Sequence, residues 1–394
     1  MNLQNSGKET IVILTTQGYL SLNRTVLRPR DKEEINKLVE LTGKKSVVPL
    51  DIALKIDDLP FKITRNMMLK IAKDAIEADS YDQMSRKYME EKNISISNDE
   101  IRLVTDFIGA QIFDQDKKRS QYALSTLEKD KKSRKMGRKT GGILYLLMDG
   151  AFIEMVSKDG GWKEVKTAMC FNSKDIHYWK NSKNEEQHRI LKRDFISIVG
   201  SVDDFIGHVA ALFKRNNGHK IEEVVVISDG ADWINTVIEK VCPNATHILD
   251  LAHLKEKVGT FAQQVISDET QRTAWVNDIR QKLEDGKWNE VLSDPSVIAN
   301  KDIKTTGGKV NLYKYIDDRK EQIDYPLFRA KGYSVGSGAI ESANRYIPQR
   351  RLKLPGMRWR RKNAQGIFSL RSRLKAEKWR EVEKTVEIRS FSKK

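Results

Sequence analysis

The sequence predicts an α/β protein with one central sheet, preceded by a smaller, mostly helical region that opens on a β-hairpin. Three observations carry that prediction. "GILYLLMDGAFIEM" and "IEEVVVISDG" are continuous apolar runs, the pattern of strands buried on both faces. Amphipathic helical stretches such as "SVDDFIGHVAALFKRN" alternate with them. The first third of the chain instead shows one β-rich pair of runs and then helical periodicity.

The elements follow in order. "ETIVILTTQGYLSLNRTVLRP" alternates, is β-branched and has Gly18 near its middle, so it reads as a hairpin. Residues 1–50 form this hairpin segment, and 51–115 a helical domain. Within the latter, "YDQMSRKYMEE" ends at Asn93, and Ser97 with Glu100 forms a capping box before Ile101, Val104, Phe107 and Ile108. Helix, short turn and capped helix outline a helix-turn-helix or an ordinary helical hairpin. Residues 116–140 hold the basic, glycine-ending stretch "LEKDKKSRKMGRKTGG", read either as an exposed linker in which Lys131, Lys132, Arg134 and Lys135 can meet phosphates or as a merely solvated one. Residues 141–261 and 331–380 make the sheet domain, 262–330 a helical insertion anchored by Trp275, Trp288 and Tyr313, and 381–394 a basic tail. "KDGGW" reads as a hairpin turn.

The composition limits the function. The chain has 394 residues, a formal net charge of +16 and 32% charged residues, a balance that favours a polyanionic partner such as double-stranded DNA. Its two cysteines, Cys170 and Cys242, build neither a disulfide framework nor a CxxC zinc site. That usage fits a reduced, cytoplasmic protein, a DNA partner would make it nucleoid-associated, and no apolar run has the length of a membrane span. His177, His188, His208 and His219 show no metal-ligand spacing, and neither a P-loop nor a Ser-His-Asp arrangement is legible.

The chemistry lies in three acids. Asp149 and Asp229 each stand in an Asp-Gly that follows an apolar run, where an open α/β sheet binds its ligands. Asp-Gly is also a common turn dipeptide. On adjacent strands the two carboxylates would repel one another, and a divalent cation, Mg²⁺ or Mn²⁺, would remove that cost. Glu341, in "GSGAIESANRY", opens a helix after a flexible glycine turn. It reads either as the third ligand, with Arg345 holding a phosphate, or as a plain i,i+4 ion pair with Arg345. The following "QRRLKLPGMRWRRK" offers Arg350, Arg351, Lys353, Arg358, Arg360 and Arg361 to a nucleic-acid backbone. Trp359 among them suits a stacking contact or the core.

The segments "LLMDGA", "VVVISDGADWI", "HILDLAHLKEKV" and "GSGAIESANRYIPQRRLKLPGMRW" together resemble the DDE transposases of bacterial insertion sequences, in the group with a G-S-G-x-x-E and R-x-K-x-x-G-M-x-W third motif. The likeness covers roughly residues 140–375, and its last motif is the most specific. It implies a ribonuclease-H-like catalytic domain with a helical insertion. It also implies that Asp149 matches the first catalytic aspartate, on the first strand, Asp229 the second, after the fourth strand, and Glu341 the catalytic glutamate, beyond the insertion. Asp250 and His253 match a C/D-x-x-H motif with a supporting role, although His253 also suits a hydrogen-bonded structural histidine. The expected activity is DNA strand cleavage and joining with two metal ions. A homodimer or higher oligomer on DNA follows by analogy. A metal-dependent nuclease and a catalytically inactive, DNA-binding remnant are the alternatives. The paired N-terminal cysteines that relatives often carry are missing here, so DNA recognition falls to hairpin, helices and basic residues.

Overall fold

The computed structural model describes residues 1–56, 59–136, 140–305 and 307–387. It forms two compact units: Met1–Gln115 with Lys362–Leu374 and Lys378–Lys394, and Asp116–Arg361 with Lys375–Glu377.

The first unit begins with strands β1 (Leu3–Thr15) and β2 (Gly18–Pro29), antiparallel and closed at the pair Thr15↔Gly18. Gly18 has φ +108°, open to glycine at little cost. Helices Arg65–Glu77 and Tyr81–Lys92 follow, the second ended by Asn93 in the left-handed region. The capping box forms as read: Glu100 N donates to Ser97 Oγ at 3.2 Å, and Ser97 N to Glu100 Oε2 at 3.0 Å. It opens a helix covering Asn98–Met136 whose buried stripe is Ile101, Val104, Ile108 and Ile112, with Phe107 half-buried at its edge.

Two boundaries differ from the sequence reading. Residues 116–136, where the sequence reading places a linker, continue that helix, because the charged run lacks Pro and Gly until Gly137 and is rich in good helix formers. The side chains of Lys131, Lys132, Arg134 and Lys135 lie outside those described. Residues 362–374, which the sequence pattern places with the sheet domain, group with the first unit. The helix Arg361–Lys375 buries Ala364, Ile367, Phe368 and Leu370, and its Gly366 meets Gly109 so closely that a Cβ added at Gly366 would lie 3.1 Å from Gly109 backbone atoms, and one added at Gly109 2.9–3.1 Å from those of Gly366.

The second unit is built on a five-stranded mixed sheet. Its strands are β3 (Thr140–Glu154), β4 (Trp162–Asn172), β7 (Asp194–Val199), β8 (Ile221–Ser228) and β9 (Thr246–Leu249), in the order β7-β4-β3-β8-β9. The β3/β4 and β4/β7 pairs are antiparallel, and β3/β8 and β8/β9 parallel. A separate antiparallel hairpin, β5 (Ile176–Lys180) with β6 (Glu186–Ile190), precedes β7 and was not read from the sequence. Leu144–Met148 and Val224–Ile227 are 0–3% exposed, the two-sided burial that their unbroken apolar runs require. Helices Val202–Arg215, Asp232–Val241 and Leu251–Val265 follow β7, β8 and β9.

The stretch 262–330 is helical, as expected, with Glu269–Glu284 its longest element. It has its own small core of Ile279, Leu283, Val291, Val297, Leu312 and Ile316. Trp275 anchors it, with Nε1 3.3 Å from both Asp294 carboxylate oxygens and its ring 5.8 Å from that of Phe261. No helix among the described residues is long and apolar enough to cross a membrane.

Candidate active site

The sheet's register places the first two acids. The parallel β3/β8 ladder ends at Met148↔Ser228, so Asp149 and Asp229 are the next residues on neighbouring strands. β3 itself does not stop at Asp149, as the Asp-Gly suggested. It runs on to Glu154, paired with β4 through Asp149↔Thr167 and Gly150↔Lys166. An antiparallel partner on one side keeps the strand extended after the parallel partner has turned away. Asp149 is therefore held by rigid strand, with its β8 side opening where that partner ends.

Each carboxylate is positioned by short-range donors. Asp149 Oδ1 accepts from Gly150 N at 2.7 Å, and Oδ2 from Asn344 Nδ2 at 2.6 Å. Burial pushes the Asp149 carboxyl above the usual range. The Gly150 and Asn344 hydrogen bonds and the His253 charge pull it down, and the Asp229 charge pushes it up. Asp229 Oδ1 accepts from Ala231 N at 3.0 Å. The insertion reaches this turn: Tyr315 Oη donates to Asp229 O at 3.1 Å, and Arg319 to Gly230 O at 2.9 Å. Burial, above all, raises the Tyr315 phenol to about 12, so it stays a donor.

Asp250 links the two halves of the site. It is 2% exposed, and its carboxylate accepts from Ala252 N at 3.4 Å, His253 N at 3.1 Å and Ser337 N at 3.0 Å. Its own N–H donates to Ser228 O at 2.7 Å, and Leu251 N donates to Val335 O at 3.2 Å. One carboxylate thus caps the Leu251–Val265 helix and fastens the glycine-rich loop that leads to Glu341. His253 lies beside it, Nδ1 3.7 Å from Glu256 Oε2.

Glu341 lies in the first turn of the helix Gly338–Asn344, exposed. With Asp149, Ser342, Asn344, Arg345 and Tyr346 it lines a cleft of about 470 Å³. The next turn, Arg345–Gln349, is π-helical and contains Pro348, with Arg350 N donating to Arg345 O. Proline has no N–H to give, which favours the wider turn here. The alternative reading of Glu341 as half of an i,i+4 pair does not hold: among the described residues no ion pair joins it to Arg345. Asp149 and Glu341, far apart in the chain, thus share one cleft, with Asp229 beside Asp149. Among the described residues, however, no three His, Cys, Asp or Glu side chains close up as a metal cluster.

Asn344 was missed by the sequence reading, though it stands three residues after Glu341 and so shares its helical face. It is 2% exposed, and its Oδ1 has no hydrogen-bond partner among the described residues. A buried, unanswered acceptor next to paired carboxylates is chemistry that suits a cation or a hydroxyl donor. Tyr315 and Arg319 were also missed, because nothing in a helical stretch shows which strand end it will reach.

The basic residues divide. Arg350, Lys353 and Arg360 are exposed. Arg358 is exposed and paired with Glu154 at 2.9 Å, and Arg361 is exposed with Nε 2.9 Å from Val199 O. Arg351 is corrected: it is 2% exposed and stacked on Trp359 at 5.1 Å, so it fills the interior and cannot reach a phosphate. Trp359 in turn exchanges backbone hydrogen bonds with the end of β3, N to Glu154 O at 3.2 Å and O from Val156 N at 3.0 Å. Its side chain is half-buried.

A family comparison matches residues 40–387, most of the chain. The protein belongs to the uncharacterised protein family UPF0236. No curated protein matches it.

Proposed function

We propose that this UPF0236 member is a DNA transposase, cleaving DNA strands at the ends of a mobile element and joining them to target DNA. The observation that carries the proposal is the shared cleft of Asp149 and Glu341, with Asp229 on the adjoining strand end. The order of these residues supports a ribonuclease-H-like reading of the second unit: one acid on its first strand, one after its fourth sheet strand, one on a helix past the insertion. The net charge of +16 supports DNA as the substrate.

The donor set suits Mg²⁺ or Mn²⁺, since it offers carboxylate oxygens and the open amide oxygen of Asn344. Asp149, Asp229 and Glu341 would hold the cations, which supply activation of the attacking hydroxyl and neutralisation of charge on the leaving 3′-oxygen. The chain's own groups do the rest. Asn344 orients Asp149 from the Glu341 helix, so strand and helix keep one spacing. Arg345, at the same cleft, attracts the scissile phosphate. Tyr315 and Arg319 fix the Asp229 turn, which limits the reorganisation the reaction demands.

The test is cleavage and binding with Asp229→Asn. The variant should lose Mg²⁺-dependent strand cleavage and keep duplex binding, which rests on Lys and Arg. Cleavage at the wild-type rate would overturn the assignment. One observation favours a second reading, a DNA-binding protein without cleavage: the three acids do not close into a cluster. That reading requires duplex binding with no cleavage by the wild type in Mg²⁺ or Mn²⁺. A joining assay with pre-cut ends separates a transposase from a nuclease.

A further inference from the structure

The β5–β6 hairpin takes no part in the sheet or the cleft. Its ten strand residues are exposed except for half-buried Ile176 and Ile190 at its base. A lone two-stranded ribbon with both faces in water is marginal on its own. Here the turn is fixed by Asn181, whose Oδ1 accepts from Lys183 N at 2.9 Å and Glu185 N at 3.0 Å, with Asn184 in the left-handed region.

The cross-strand pairs sort the two faces. Ile176↔Ile190, Tyr178↔His188 and Lys180↔Glu186 share one face. His177↔Arg189 and Trp179↔Gln187 share the other. That second face carries no acid. It presents an arginine and a glutamine, the side chains whose forks match guanine and adenine edges, with the His177 and Trp179 rings stacked 5.9 Å apart beside them. Among the described residues Gln187 and Arg189 make no side-chain hydrogen bond or ion pair. From Lys174 to Arg193 there are six Lys and Arg against three Asp and Glu, a local excess that complements a phosphate backbone.

We propose that this hairpin is a β-ribbon DNA reader. It enters the major groove of duplex DNA with its His177, Trp179, Gln187 and Arg189 face toward the base edges, while Lys192 and Arg193 at its base contact phosphates. The groove admits a two-stranded ribbon, and five residues at about 3.4 Å each span roughly five base pairs. Arg189 and Gln187 pair with base edges, and the exposed Trp179 ring packs on thymine methyl groups and sugars. The proposal deepens the transposase reading and rests on it for the substrate. It supplies a means of end recognition that needs no zinc motif.

The experiment selects binders from a randomised duplex library with the full-length chain, then repeats the selection with Gln187→Ala, Arg189→Ala, and Lys192→Ala with Arg193→Ala. Circular dichroism and melting temperature should be unchanged, since the hairpin lies outside the core. Arg189→Ala should bind the wild-type sequence about tenfold or more weakly and lose preference at a single G·C position. Gln187→Ala should do the same at an A·T within roughly five base pairs of it. The double lysine–arginine variant should weaken all duplexes alike and flatten the salt slope by about two. Unchanged selected sequences and affinities for Gln187→Ala and Arg189→Ala would overturn the proposal. So would variants that lose self-association in sedimentation while keeping DNA binding, which would mark the ribbon as a contact between copies of the chain. If wild type cleaves duplex in Mg²⁺ and the hairpin variants keep its preference, only the ribbon assignment falls. If they lose that preference and wild type never cleaves, only the transposase reading falls.

Discussion

Asp149 and Asn344 show how one hydrogen bond joins two distant parts of the chain. The amide donates to the carboxylate at 2.6 Å, so it favours the charged acid against the burial that opposes it. Asn344→Ala should therefore lower cleavage at least tenfold and raise the Mg²⁺ concentration needed for half-maximal rate, with duplex affinity kept. A uniform fall in rate with unchanged Mg²⁺ dependence would assign Asn344 a packing role only. The raised Asp149 pKa has a sign that can be tested. A carboxyl shifted upward takes up its proton at higher pH, so Mg²⁺ affinity measured from pH 8 downward should begin to fall above the range of an ordinary aspartate. His247 has the opposite shift. Burial first, and the Arg319 charge second, lower its pKa from 6.5 to about 4, while its Nε2 lies 2.8 Å from Ser228 Oγ. The unfolded chain then binds more protons than the folded one between those values. Its contribution is complete above pH 6.5 and is lost as pH falls toward 4, by up to about 3 kcal/mol. Urea titrations of wild type and His247→Gln over this window should differ in slope, with the variant the flatter.

Among the elements, two were misjudged for instructive reasons. Asp-Gly after an apolar run reads as a strand end, and for β8 it is one. For β3 the antiparallel partner β4 carries the strand five residues past Asp149. Only the partner decides this, because φ/ψ at Asp and Gly permit either course. The 116–136 stretch was read as a linker from its charge, yet charge alone does not break a helix without Gly or Pro. The crossing of Asn98–Met136 with Arg361–Lys375 depends on two glycines in backbone contact. Gly366→Ala should destabilise the first unit by about 1–3 kcal/mol through overpacking, measured by denaturant midpoint. An unchanged midpoint would show that the helices can part without cost.

At the scale of the molecule, the +16 charge sets the expected strength and salt response of DNA binding. Affinity for a mixed-sequence duplex should fall by about a thousandfold or more between 50 and 200 mM salt if six or more phosphates are contacted. A salt-independent affinity would remove DNA as the partner. The α/β class, the hairpin at the start, the helical insertion and the capped helix at Ser97 were all legible, because periodicity, caps and turn residues are local properties of the chain. The three acids were legible as candidates. That Asp149 and Glu341 line one cleft was not, since it depends on which strand lies beside which and on how Asp250 ties the glycine loop to β8 and the helix after β9. The burial of Arg351, the reach of Tyr315 and Arg319, and the exposed ribbon at 176–190 belong to the same class. The sequence by itself determined most of the strands and helices, through their periodicity and caps, and the cationic balance of the chain. Only the tertiary structure decided which polar side chains face one another, because those meetings join residues as far as 195 and 257 positions apart and no local preference encodes them.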